Sequence, residues 1–186
     1  AETGQLQESG RDQAHCMLGV GVLAELAECA WKQGDNLYAA LDNRIMKGYE
    51  YLSKVNLGYT DVPFEVWKDA TGKYCNWQNM GEAELGKFRA VFEIAYNHYV
   101  ERRGIAMPYT EKVLKRIRPE GIGWTCDNPG FGTLLFYLGK NEPVPLEGQI
   151  SEQLKYGWKE WQIAAPDLEP VGNEFLLVNK GISMQK

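Results

Sequence analysis

The sequence predicts a mainly α fold of antiparallel helical hairpins with long aromatic loops at one end. Apolar residues recur at helical spacing through 9–33, 37–56 and 85–103. Capping residues precede the first two stretches, and Gly34, Gly58 and Gly104 close all three. Between and after them lie Gly-, Pro- and Asn-rich segments that carry Trp, Tyr and Phe.

The first helix, 9–33, opens on Ser9-Gly10-Arg11-Asp12, the Ser-x-x-Asp form of a capping box. Its expected core stripe is Leu18, Val22, Leu26 and Cys29, with Glu25, Glu28 and Lys32 mostly off it. Gly19 and Gly21 each cost about 1 kcal/mol of helix propensity against Ala, so their use is to let another backbone or a ligand approach closely. Asp35 or Asn36 caps a second helix, 37–56, whose face carries Leu37, Leu41, Ile45, Tyr49 and Leu52. The short connection makes the two an antiparallel hairpin. Residues 57–84, with Phe64, Trp67, Tyr74 and Trp77, form a long ordered loop with room for a short hairpin.

The third helix, 85–103, is apolar almost all round and must be buried on several sides. A short helix at 110–118 is stopped by Pro119, 124–132 is a Gly/Pro/Asn loop, and 133–138 is a short apolar element. Beyond 140 prolines break the chain, and Phe175–Val178 is strand-like. No repeat, low-complexity tract or linker interrupts it, so 1–186 reads as a single domain.

Composition excludes several function classes. With 186 residues, 44% of them hydrophobic, the chain can bury a core. A net charge of -5 opposes general binding to nucleic acid or to an anionic membrane surface. No uninterrupted run of about 18 apolar residues exists, so no transmembrane helix is expected. The chain opens on Ala1-Glu2-Thr3-Gly4, without an initiator Met or an apolar leader, as a processed product or a piece of a longer chain would. The four cysteines show no metal-type spacing. Cys75 and Cys126 fall in loop-like stretches and could pair, the alternative being two free thiols.

The candidate chemistry is sparse. Only two histidines exist, and His15 lies in the first turns of the first helix beside Arg11, Asp12 and Gln13. In the third helix Arg89 and Tyr96 are two turns apart, so they share a face, while His98 points the other way and Asn97 lies at its edge. An Arg in an apolar helix needs an anion, from the protein or from a ligand. A Tyr nearby can carry a proton if that cation lowers its pKa. The bland alternative pairs Arg89 with a local acid such as Glu93 and leaves Tyr96 as packing. Lys112, Lys115, Arg116 and Arg118 have the look of a solvated face. No phosphate loop, dinucleotide fingerprint, zinc-helix motif or catalytic triad is present.

Several stretches together resemble the alginate lyase-like superfamily of polysaccharide lyases. Glu8-Ser9-Gly10-Arg11-Asp12-Gln13-Ala14-His15 is similar to its helix-opening motif. Leu23-Ala24-Glu25, Ala30-Trp31-Lys32-Gln33-Gly34, Asp42-Asn43-Arg44, Lys47-Gly48-Tyr49-Glu50-Tyr51 and Asn56-Leu57-Gly58 follow in family order. Tyr96-Asn97-His98-Tyr99-Val100, Arg118-Pro119-Glu120-Gly121 and Asp127-Asn128-Pro129-Gly130-Phe131-Gly132-Thr133-Leu134-Leu135-Phe136 come after them.

The resemblance implies an incomplete (α/α) toroid of helical hairpins and β-elimination at a 1,4-linked polyuronate such as alginate or glucuronan, with no cofactor. It implies Tyr96 as catalytic acid, and as base too in syn elimination, with His15 as base where the geometry is anti. Gln13 and Arg89 would bind the substrate carboxylate. Arg11, Asn97, Tyr99 and Trp124 are further candidates for substrate contact, Tyr99 being the fallback phenol. Digestion of a large extracellular polymer implies a secreted or periplasmic enzyme. In the family several hairpins precede the His-bearing helix, which opens here at Ser9. The chain is therefore expected to be the C-terminal portion of the lyase domain, with a missing or companion segment or self-association. A non-catalytic carbohydrate-binding helical domain, an inactive lyase fragment and a toroidal glycoside hydrolase are the alternatives.

Overall fold

The computed structural model describes residues 2–73, 75–123 and 127–138, together with the strands at 168–171 and 174–177. The chain divides into two compact units, Ala1–Glu142 and Pro143–Lys186. The first is mainly helical. After a 3-10 turn at Gln7–Gly10 come α1, Gln13–Lys32, and α2, Ala40–Asn56. A two-residue hairpin follows, β1 (Trp67–Lys68) against β2 (Asn76–Trp77). Then come α3, Glu93–Tyr96, running on as a π-helix through Asn97–Arg102, and α4, Pro108–Ile117, and the short α5, Gly132–Phe136. In the second unit β3 (Leu168–Val171) pairs antiparallel with β4 (Glu174–Leu177), close to the strand expected at 175–178.

Helix α1 starts later than its sequence suggests. Its cap is Asp12, whose carboxylate accepts from the His15 amide at 2.8 Å, whereas the Ser9 hydroxyl accepts from the Leu6 amide at 3.1 Å. The face it buries also differs. Met17, Val20, Ala24 and Ala27 enter the core, while Val22 and Leu26 of the expected stripe are 46% and 56% exposed and Cys29 is exposed. Small residues line the inner face because neighbours come close: a side chain at Gly21 would meet Asn128 and Val91 within 3.1 Å. Around Gly19 nothing lies within 4 Å.

By length and composition α1 could cross a membrane, with a mean hydropathy of 1.2. Here its inner face packs into the core, and near its end Glu28 forms an ion pair with Arg102 at 2.7 Å. Tyr38 and Tyr49 donate their hydroxyls to the carbonyls of Ala24 and Val20 at 3.1 and 3.2 Å, tying α2 and the turn before it to α1.

In α2, Tyr49 and Leu52 are buried as expected, but Leu37 and Leu41 are exposed. Leu41, Asp42 and Asn43 have φ of 50°, 57° and 54°, so the regular helix begins after them. The third helix is likewise shorter than expected. Residues 85–92 are not helical, and Glu93 opens the helix. His98, within the π-helical part, is buried, stacked on Tyr38 at 3.7 Å between ring centroids.

Candidate functional site

Asp12 and His15 form the best-defined polar pair at the start of α1. His15 Nδ1 lies 2.7 Å from Asp12 Oδ2, and the same carboxylate caps the helix through the His15 amide. Burial opposes ionisation of Asp12, but the hydrogen bonds from the His15 amide and ring, with Arg11 adding charge, hold its carboxyl below the usual range. An ionised Asp12 keeps the proton on Nδ1, which leaves Nε2 as the basic nitrogen. The His15 side chain is 39% exposed. Arg11 lies beside it, 3.3 Å from Glu8 and 3.5 Å from Asp12. At 100° per residue His15 stands about 160° round from buried Met17, on the outward face it shares with Gly19, Val22 and Leu26.

Gln13 points the other way. It is buried, its Nε2 donates to the Gly81 carbonyl at 2.7 Å, and its Oε1 accepts from Asn56 Nδ2 at 3.0 Å. Asn56 Oδ1 in turn accepts from the Gly86 amide at 3.0 Å. Gln13 therefore ties the end of α2 and the 81–86 segment to α1, and both ends of its amide are used within the protein. The expectation that it binds a substrate carboxylate does not fit this placement.

Arg89 lies ahead of α3, so the helical-face argument that joined it to Tyr96 does not hold. Its amide donates to Met17 Sδ at 3.3 Å, which fixes the segment against the inner side of α1. Arg89 helps line a cavity of about 280 Å³ with Phe88, Ile117, Glu120 and Ile122. Glu120 is a residue whose role the sequence did not signal, although it sits inside the quoted Arg118-Pro119-Glu120-Gly121. Its Oε1 accepts the amides of Phe92 at 2.6 Å and Glu93 at 3.3 Å, so a remote carboxyl caps α3. Burial pushes Glu120 up to about 7, with Glu93 adding to the effect and the two amides and Arg118 opposing it. Its Oε2 is buried without a hydrogen-bond partner among the described residues.

Tyr96 belongs to a third group. Arg118 lies over its ring at 5.6 Å and over that of Tyr137 at 5.1 Å. Arg118 also grips the fully buried Glu93 through Nε at 2.6 Å and Nη2 at 2.8 Å. The acid imagined as the partner of Arg89 is thus the partner of Arg118. Burial raises the Tyr96 hydroxyl above its ordinary value, with Glu111 and Glu101 adding to the rise and Arg118 opposing it. Contacts of Gly21 with Val91 and of Glu28 with Arg102 show α1 and α3 running in parallel. Tyr96 is thereby roughly 15 Å along the α1 axis from His15.

Asn97 is buried and bonded on both sides, donating to Glu93 Oε2 at 2.9 Å and accepting from the Leu138 amide at 2.8 Å. Tyr99 is buried too and donates to the Tyr38 carbonyl at 2.7 Å, and burial pushes its hydroxyl up. Neither is open to a substrate, contrary to expectation. Trp124 and Cys126 lie outside the described residues, and Cys75 is a free thiol. Among the described residues no group of three His, Cys, Asp or Glu side chains is placed to hold a metal ion.

The candidate residues thus lie in different surroundings: His15 on the outer face of α1, Arg89 in the cavity with Glu120, and Tyr96 beneath Arg118, with Glu93 linking Glu120 to Arg118. No protein-family model, no curated protein and no solved structure matches the chain.

Proposed function

We propose that the chain is part of a secreted or periplasmic polyuronate lyase, built on an incomplete (α/α) toroid, with His15 as the base of β-elimination. The observation that carries this reading is the Asp12–His15 pair at 2.7 Å, which leaves Nε2 basic on an outward face. In the reaction Nε2 takes the C5 proton of a uronate unit. The electron pair forms the C4–C5 double bond, and the bond from C4 to the glycosidic oxygen breaks. The leaving oxygen must take up a proton, and the uronate carboxylate must be neutralised as negative charge forms at C5.

Two features support a site completed by something beyond this face. His15 heads an exposed apolar stripe through Val22 and Leu26, and Arg89 lines a cavity that does not include His15. A companion segment or a second copy laid on α1 would supply the missing wall and the neutralising cation. The separation of Tyr96 from His15 favours a second reading, a carbohydrate-binding helical domain or lyase fragment without turnover.

Incubation with alginate, with glucuronan and with a neutral glycan separates the two. Ultraviolet absorbance of the 4,5-unsaturated uronate, lost in His15→Ala, supports the lyase. Binding without any such product supports the second reading. New reducing ends without the absorbance would mean hydrolysis and would sink both.

A further inference from the structure

We infer that Tyr59, Tyr109 and Lys112 form a separate saccharide-binding surface that takes a uronate unit of an anionic polysaccharide; the ligand class rests on the polyuronate reading above. The two tyrosine rings meet edge to face with centroids 5.2 Å apart. Lys112 Nζ stands 5.3 Å from each centroid and donates to the Tyr59 hydroxyl at 2.7 Å. Lys54 Nζ lies 5.9 and 5.5 Å from the same two centroids.

The charges around the rings are not equivalent. Lys54 is paired with Asp61 at 2.8 Å, Lys115 with Glu111 at 2.7 Å and Arg118 with Glu93 at 2.6 Å. Glu50 is taken up by the Tyr109 and Thr110 amides at 3.1 and 2.9 Å. Among the described residues Lys112 is held by a phenol and two ring faces and makes no ion pair with a carboxylate, Glu50 acting on it only at longer range. Its ammonium keeps further N–H donors for an anion. Tyr59 is 39% exposed, so part of its ring remains open beside that cation.

The arrangement is fixed before any ligand arrives. Gly58, at φ +88°, turns the chain out of α2, and the Tyr59 amide returns to the Lys54 carbonyl at 3.3 Å. The loop beyond is held by Tyr51, whose hydroxyl donates to the Pro63 carbonyl at 2.7 Å. An exposed aromatic ring and a cation held rigid in solvent lose little freedom on binding. The C–H face of a pyranose packs on such a ring while its carboxylate takes the ammonium. The surface is also distinct from the Arg89 cavity. Ile117, which lines that cavity, lies roughly 8 Å further along α4 than Lys112.

The test measures affinity of the full chain for glucuronan and alginate oligosaccharides and for a neutral β-1,4-glucan oligosaccharide, at low and high salt. Tyr59→Ala should weaken uronate binding about tenfold or more. Lys112→Met should weaken it severalfold and flatten its salt dependence while leaving neutral-glycan affinity unchanged. Unsaturated product is followed in the same samples. Product formation with unchanged affinity in both variants overturns the surface alone. Variant-sensitive binding with no product supports the surface and overturns the lyase. Absence of both uronate binding and product overturns both.

Discussion

Asp12 holds His15 twice, by its amide at 2.8 Å and by ring Nδ1 at 2.7 Å, so one carboxylate both starts α1 and sets the tautomer of the ring. Asp12→Asn separates these roles. Asn caps a helix about as well as Asp, so thermal stability should change by less than about 1 kcal/mol. The amide cannot stabilise an imidazolium as a carboxylate does, so elimination should fall by roughly a hundredfold or more. Melting temperature and the rate of unsaturated product, measured on one preparation, check the split. Equal activity would remove His15 from the chemistry.

Glu120 makes stability depend on pH. Its folded-state pKa, about 7, lies above the ordinary value of 4.5, so the folded protein binds more protons than the unfolded chain between them. The stability contributed is fully present below pH about 4.5 and is lost as pH rises through about 7, by up to about 3 kcal/mol. Glu93, Arg118, the fully buried Tyr49 and Arg89, which lines the same cavity, are charged or titratable groups around it among the described residues. Urea unfolding at pH 5 and pH 8 should show the wild type losing stability across this interval relative to Glu120→Gln. Parallel pH curves for the two proteins would contradict this.

Part of this was legible in the sequence. The α1–α2 hairpin, the burial of Tyr49 and Leu52 and the short strand hairpin follow from periodicity and punctuation. The inward face of α1 did not, because Leu and Val recur on one side and Met, Val and Ala on the other, and period alone cannot choose between two apolar stripes. Close approach of Asn128 and Val91 at Gly21 makes the choice, and that is a tertiary fact. The start of α3 was hidden for a similar reason. Its cap is Glu120, 27 residues beyond Glu93, so no local motif marks it. Because α3 begins at Glu93, the shared face that helical periodicity gives Arg89 and Tyr96 is lost, and only the resemblance still pairs them.

Glu28 and Arg102 join the ends of α1 and α3 by two hydrogen bonds, at 2.7 and 2.8 Å, with side chains only 7% and 8% exposed. Burial opposes ionisation of Glu28, and Arg102, Lys32 and the Tyr38 hydroxyl hold its carboxyl below the usual range. Removing one partner strands the other's charge. Arg102→Met should cost about 3–5 kcal/mol in chemical denaturation, and the double change to Met at 102 and Gln at 28 should recover part of it. Additive losses would show that the two charges do not depend on each other.

The outer face of α1 gives the last prediction. Leu23 and Leu26 are 47% and 56% exposed beside Val22, and Gly19 leaves open space next to them. Neighbouring apolar side chains left in water favour association, at about 25 cal/mol for each Å² of apolar surface buried. The chain should therefore form dimers or larger species whose fraction rises with concentration in sedimentation measurements. Leu26→Glu, which leaves the core residues of α1 untouched, should return it to monomer without lowering its melting temperature. If association also completes the wall beside His15, the same variant should lose elimination while keeping polyuronate affinity at Tyr59 and Lys112. A monomer at all concentrations would leave a companion segment as the partner of this face.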